Sequence, residues 1–374
     1  MLDQLRLNPH LLKVPLYIAG KSVEEVQAMY GLDDVIKLAS NESPLGPSPL
    51  AIEAAQQALW ESHRYPGIAD RNLRRALGPH THPNFDERYF LLGNGATDVI
   101  RMLAQAFAFD GGEMITSQVT FPMYHISTTM FGGVSKLVPV KADLRFDLPA
   151  IAAAINPDTR LIFVCSPNNP TGLICCRDEV AEFMRHVPDH VVVVFDESYR
   201  DFVEDPDYPD PTEYVAGGRN VIVLRSFSKS AGLANLRVGY AVARPEMIEY
   251  LHHTQIPFNS GALSLIAARA SLDDHEYLER NRSLVRTERE FLYQALDALD
   301  LTYVRSHANF VMISNLPIEA NLLCDKIVRH GVIVRPMAGW GMSTAIRVTI
   351  GLREHNERFI AALRAVLIES GVEG

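Results

Sequence analysis

Cysteine is scarce in this sequence: Cys165, Cys175, Cys176 and Cys324 are the four among 374 residues. They form no CxxC pair and no cysteine–histidine spacing suited to zinc, so a metal knuckle and a disulfide scaffold are both excluded. Such sparse use fits free thiols in a reducing cytosol. Long hydrophobic runs are missing as well, and nothing reaches the roughly 18 apolar residues a membrane helix needs. The N-terminal stretch MLDQLRLNPHLLKVPLY lacks the apolar centre of a signal peptide. Positive charge is in deficit: 35 Lys and Arg stand against 45 Asp and Glu, a net charge of −10. That disfavours a nucleic-acid backbone as partner and leaves small molecules, including a small anion held by a few placed arginines. Internal repeats and low-complexity linkers are absent too.

What is present reads as a globular α/β chain. Hydrophobic residues make up 47% and charged residues 21%, and the length exceeds what one core usually supports. We expect an N-terminal arm over 1–40 that joins a small domain, a large domain over 41–265, and the rest of the small domain over 266–374. SVEEVQAMYG reads as a short helix. VIKLAS reads as a strand running into a loop whose prolines at 44, 47 and 49 exclude a regular helix there. PLAIEAAQQALWE has helical periodicity, and RYPG is a turn. From about residue 90, strands alternate with helices: YFLLGNGATDVIRMLAQAFA, RLIFVCSPNNPTG, HVVVVFDESY and NVIVLRSFSK. Fully apolar strands in this alternation predict a mainly parallel sheet covered on both faces. Beyond about 265 come amphipathic helices such as REFLYQALDAL, then the short strands NFVMIS, GVIVRP and AIRVTIG.

Three apolar strands end in polar groups: Asn168 to Gly172, Asp196 to Tyr199, and Ser226 to Lys229. In open α/β sheets ligands sit beyond the carboxyl ends of strands, so these sets are expected to converge. Lys229 stands alone among hydroxyls, and partial desolvation would lower its pKa and make it a nucleophile for a carbonyl. Asp196, at the end of VVVVF, needs a cationic or hydrogen-bonding partner, and a protonated pyridine nitrogen would serve. Asn169 and Tyr199 are placed to bond a phenolate oxygen. Ala96 and Thr97 open a helix whose first N–H groups favour a phosphate, and Ser226, Ser228 and Arg237 complete the cup. A ligand with an aldehyde, a phenolate, a pyridine nitrogen and a phosphate is pyridoxal 5′-phosphate, held by Lys229 as a Schiff base.

With these residues in place, the sequence resembles the histidinol-phosphate aminotransferase family of fold type I aminotransferases. The likeness runs from LYIAGKSVEEV and IKLASNESPLGPSP through RYPG, LGNGATD, CSPNNPTG, DESY and SFSKSAGLANLRVGY to IPFN, ANFVMI, VIVRP and IRVTIGLREHN. It implies a large domain with a seven-stranded sheet, a smaller α+β domain, and a homodimer with shared active sites. It implies that Phe121 stacks on the pyridine and that Tyr65 reaches the phosphate of the other subunit's cofactor. Arg347 would grip a substrate carboxylate, Arg335 and Tyr17 the distal anion, and Asn41 would lie at the substrate edge. Lys229, Asp196 and Tyr199 would carry the catalysis. The reaction implied is transamination of histidinol phosphate with 2-oxoglutarate in histidine biosynthesis, by a cytoplasmic enzyme.

Taken singly, Phe121 and Tyr124 also suit a core, Tyr65 a plain turn and Arg347 the solvent face of a strand. Thr97 stands where the family often has a carboxylate, and Ala231 where it has an aromatic residue. Other readings share parts of the pattern. An aromatic amino-acid aminotransferase and a phosphothreonine-decarboxylase-like lyase would use the same cofactor residues. A nicotinamide-binding protein is disfavoured because GNGATD lacks the third glycine. His80 and His82 are better explained by a polar loop than by a metal.

Overall fold

The computed structural model describes residues 5–14 and 20–371, so the expectation for Tyr17 lies outside the described residues. The first helix, Val23–Tyr30, starts at a capping box in which Ser22 and Glu25 satisfy each other's backbone N–H, and ends at Gly31 in the left-handed region. Strand β1 (Ile36–Lys37) follows. The helix Pro49–Ala58 begins on one of the three prolines expected to exclude helix. At the first helical position the missing N–H costs nothing, so Pro49 starts the helix while Pro44 and Pro47 stay in the loop.

Seven strands form the main sheet: β2 (Phe90–Asn94), β3 (Glu113–Ser117), β4 (Val134–Val138), β5 (Thr159–Cys165), β6 (Val192–Asp196), β7 (Val221–Ser226) and β8 (Val238–Val242). Their order is β2-β8-β7-β6-β5-β3-β4, and only the β8 pairings are antiparallel. β5 to β7 are rich in Val, Ile, Leu and Phe and almost wholly buried, as expected for strands covered on both faces. Register aligns their ends: Cys165 pairs with Asp196, and Asp196 with Leu224. The polar segments after the three strands therefore leave the sheet along one edge. β2, antiparallel to β8, which is itself antiparallel to β7, points the same way and delivers Gly95 and the helix Ala96–Phe107 to that edge.

The remaining strands are β9 (Thr302–Val304), β10 (Phe310–Ser314), β11 (Val332–Ile333), β12 (Arg335–Pro336) and β13 (Ile346–Thr349). Four form an antiparallel sheet in the order β12-β13-β10-β9, while β1 pairs in parallel with β11. A large hydrophobic cluster surrounds the seven-stranded sheet, and a separate one gathers β10, β11 and β13 with the helices His275–Asp297 and Arg353–Glu369. Leu38, just after β1, belongs to the second cluster, so the chain's early segment packs beside its late one.

Candidate active site

A pocket of about 410 Å³ opens at the carboxyl edge of β5–β7. Its floor is Asp196, which is 3% exposed. One carboxylate oxygen accepts from the Tyr124 hydroxyl at 2.7 Å, the other from the Ser198 hydroxyl at 2.5 Å and the Ser198 N–H at 3.0 Å. All three donors are neutral. Burial raises the Asp196 pKa, against the pull of these hydrogen bonds. Its neighbour Glu197 is buried too, but Arg225 holds it at 2.8–2.9 Å. The contrast matters, because an unpartnered buried carboxylate costs on the order of several kcal/mol. Glu197 has its cation from the chain, whereas Asp196 lines the pocket, where a ligand's cation fits.

The wall beside it suits a phosphate. The helix Ala96–Phe107 has no side-chain cap, and Ala96 and Thr97 line the pocket. Gly95, at φ +80°, brings the guanidinium of Arg237 against the helix start, and a Cβ on Gly95 would strike that guanidinium. Arg237 itself is left-handed, at φ +52°. Its Nη1 donates to the Ala234 carbonyl at 2.9 Å and reaches the Ser228 hydroxyl at 3.4 Å, while the Ser228 N–H donates to the Ser226 hydroxyl at 3.1 Å. N–H groups at a helix start, an arginine without a carboxylate partner among the described residues, and two hydroxyls make a cradle for an anion.

Between floor and wall, Lys229 extends from the turn after β7. Its amine donates to the Ser40 carbonyl at 3.1 Å and lies 5.7 Å from the centre of the Tyr199 ring. Burial, and next the charge of Arg347, lower its pKa to about 8. About a tenth of this amine is therefore neutral at pH 7, far more than for a solvated lysine, and the neutral form is what a nucleophile or a proton acceptor requires. Tyr199 is buried, accepts from the Asn41 side-chain amide at 2.9 Å, and has its pKa pushed up to about 12 by burial. Its hydroxyl stays protonated and can donate. Asn41, at φ +55°, is fixed by Thr349 through its N–H at 2.9 Å and by Asn309 through its carbonyl at 3.1 Å.

The opposite rim is cationic. Arg335 of β12 and Arg347 of β13 are register partners on adjacent antiparallel strands, and both line the pocket. Like charges directly opposite each other destabilise a sheet unless an anion joins them. Arg347 is 6% exposed, donates to the Asn169 side-chain oxygen and, at 2.8 Å, to the Ala39 carbonyl, and sits 5.2 Å from the centre of the Phe310 ring. A solvent-facing position for Arg347 is thereby ruled out. Lys37, paired with Glu42 at 3.2 Å, lines the same rim.

Of the residues expected to act together, Ala96, Thr97, Phe121, Asn169, Asp196, Tyr199, Ser226, Ser228, Lys229, Arg237, Asn41, Arg335 and Arg347 all line this one pocket. Tyr65 does not: it is 78% exposed and stacks on Phe258, ring centres 4.5 Å apart. Sequence reasoning missed Ser198 and Trp340, and left Tyr124 as a possible core aromatic. Tyr124 is fully buried, stacked on Phe163, and bonded to Asp196. The serine in DESY is the one local signal that pointed to a donor for Asp196. The donor set therefore fits the ligand inferred from the sequence: a neutral amine for an aldehyde, a buried carboxylate for a ring cation, a protonated phenol for a phenolate, and an anion cradle for a phosphate.

Comparisons with known proteins agree. A family model described as aminotransferase class I and II matches residues 33–363. The chain is 42% identical over 358 residues, 96% of its own length and 92% of the other's, to the histidinol-phosphate aminotransferase of Moorella thermoacetica. It is 40% identical to histidinol-phosphate aminotransferase 2 of Pseudomonas aeruginosa, over 98% of this chain and 99% of that one. Among solved structures, the histidinol-phosphate aminotransferase from Sinorhizobium meliloti, in complex with pyridoxal-5′-phosphate, superposes with a TM-score of 0.88 at 24% identity, over 98% of each chain. A double mutant of Thermus thermophilus aspartate aminotransferase gives 0.83 at 21% identity, over 97% of this chain and 99% of that one. At those identities the structural likeness establishes the fold.

Proposed function

The chain belongs to the class I and II aminotransferases, pyridoxal-phosphate enzymes, and on that premise we propose that it transfers the amino group of L-histidinol phosphate to 2-oxoglutarate. The products are imidazole-acetol phosphate and L-glutamate, a step of histidine biosynthesis. The observation that carries the choice of donor is the cross-strand pair Arg335 and Arg347, two cations that a phosphate dianion or the carboxylates of 2-oxoglutarate would neutralise in turn.

In this reading Lys229 would hold the cofactor through its aldehyde, and Asp196 would face its ring nitrogen. Tyr199 and Asn169 would serve its phenolic oxygen, and Phe121 would pack on its ring. The helix start at Ala96 and Thr97, with Ser226, Ser228 and Arg237, would hold its phosphate. The cofactor, when bound, supplies the electron sink that lets the hydrogen on the amino carbon leave as a proton. Asp196, buried and without a cationic partner among the described residues, favours a protonated partner at the ring nitrogen. Once the donor amine takes its place, the Lys229 amine is free to accept that proton and to return it at the adjacent carbon. Its bond to the Ser40 carbonyl gives the released amine a fixed seat. Arg347, gripped by Asn169 and Ala39, orients the donor's anionic group, and Arg335 takes the distal charge of a dianionic partner.

The reading includes a homodimer in the cytoplasm. Exposed Trp60, Tyr65, Ile68, Ile256 and Phe258 support a face covered by a second copy, and the free cysteines suit a reducing compartment. The test is a donor panel with 2-oxoglutarate on the cofactor-loaded protein, following glutamate. Histidinol phosphate should exceed phenylalanine and tyrosine in kcat/KM by about tenfold or more, since the carboxylate of either aromatic donor brings one negative charge where a phosphate dianion brings two to face Arg335 and Arg347. Equal or better turnover of phenylalanine would move the chain to an aromatic donor, and carbon dioxide release from phosphothreonine would make it a lyase.

A further inference from the structure

The turn between β12 and β13 carries a tryptophan that no sequence motif singled out. Ala338–Trp340 form one turn of 3-10 helix, closed by Gly341 in the left-handed region. One side of Trp340 packs on a small apolar cluster of Met312, Met337 and Ala345, beside Leu144 and Met342. Its ring also lies by the Arg335 guanidinium, 5.9 Å from centre to carbon. Its indole N–H crosses the cleft and donates to the Thr120 carbonyl at 2.7 Å. That acceptor is firmly held. The Thr120 hydroxyl donates to the Asn168 side chain at 2.8 Å, and the Asn168 amide returns a bond to the Val119 carbonyl at 2.9 Å. Phe121 comes next in the chain, and Asn169, bonded to Arg347, follows Asn168. Trp340 therefore spans from the sheet that carries the two arginines to the segment that carries Phe121, and it lines the pocket between them.

We propose that Trp340 is the positioning residue for the distal-anion end of the site: its N–H pins the β12–β13 turn across the cleft, and its ring face holds the Arg335 guanidinium toward the pocket. Without it, Arg335 keeps a like charge, Arg347, as its register partner, has Lys37 on the same rim, and loses the ring beside its guanidinium. A partly buried cation beside an indole ring and a partly buried hydrogen bond together are worth about tenfold in affinity. Trp340 thus selects for substrates with a second anionic group and contributes little to proton transfer at Lys229.

This inference rests on the aminotransferase reading above, and its test separates the two. Cofactor-loaded wild type, Trp340→Phe and Trp340→Ala are compared in the amino-donor half-reaction with L-glutamate and with L-norvaline, which has the same carbon chain and no distal charge. Trp340→Ala should raise the glutamate KM about tenfold and Trp340→Phe, which keeps the ring and loses the N–H, about threefold. The limiting rate and the norvaline KM should stay within about twofold. Equal weakening of both donors, an unchanged glutamate KM, or a loss confined to the limiting rate would overturn the proposal. Should Trp340→Ala fail to fold, Trp340→Phe alone still decides. Failure of histidinol phosphate as a donor would overturn the proposed reaction and leave the glutamate–norvaline comparison intact.

Discussion

Asp196, Asn169 and Lys229 stand at or just beyond the ends of three neighbouring parallel strands, whereas the rim draws Lys37 from β1, Arg335 from β12, Arg347 from β13 and Trp340 from the turn between the last two. The floor is pre-bonded and shielded: Asp196 has three donors, and Tyr199 is buried against Phe310, with ring planes at 83°. The rim is more open, with Arg335 and Trp340 only partly buried. The difference separates two tasks. Chemistry common to many substrates needs fixed dipoles in a dry place, and parallel strands supply both. Choice among substrates needs cations at an adjustable distance, and those come from segments that meet only after long-range pairing.

The comparison can be broken first at the phosphate wall beside the floor. Gly95→Ala forces a Cβ into the Arg237 guanidinium at a backbone angle that alanine adopts poorly. Losing one charge-assisted contact to phosphate should weaken cofactor binding about tenfold to a hundredfold, with the substrate KM of loaded enzyme nearly unchanged. Equilibrium titration of the apoprotein, followed by absorbance, checks it. An unchanged affinity would mean that Arg237 does not serve the phosphate.

The next effect is smaller and concerns pH. A lysine lowered to about 8 by burial is mostly protonated at pH 7 and mostly neutral at pH 9. The initial rate at which apoprotein takes up the cofactor should therefore rise about tenfold across that interval and level off above it. A rise that continues toward pH 10 would show a solvated lysine. Changes at Trp340 should stay at or below about tenfold and be confined to KM, and that ordering is what distinguishes rim from floor.

These two regions were also unequally legible in the sequence. Lys229, Asp196 and Asn169 declared themselves because each stands at or just beyond the end of a buried apolar run, where a ligand site is expected. Tyr124 did not, since a tyrosine at the second position of the helix Met123–Met130 looks the same in sequence whether its hydroxyl is bonded to Asp196 or to water. Trp340 sits between two glycines, in a turn whose partner lies in a segment 220 residues away. The pairing of Arg335 with Arg347 depends on antiparallel register, which spacing alone leaves open. The helix Ala69–Thr81 was not anticipated, and it takes in Gly78, Pro79 and His80, so His80 lies in the last turn of a helix and not in the polar loop expected for it. Leu73 and Leu77 bury its inner face, and Gly78 is where the Phe85 backbone crosses too closely for any side chain. Tertiary packing there overrides propensity.

The most direct measurement is chemical. The cofactor-loaded protein is reduced with borohydride, digested, and the modified peptide located by mass spectrometry, with Lys229→Ala treated in parallel. The account predicts a single pyridoxyl label on Lys229, close to one per chain, and none in the variant, whose transamination should fall on the order of a thousandfold or more. A label on another lysine, or near-normal turnover in Lys229→Ala, would contradict it.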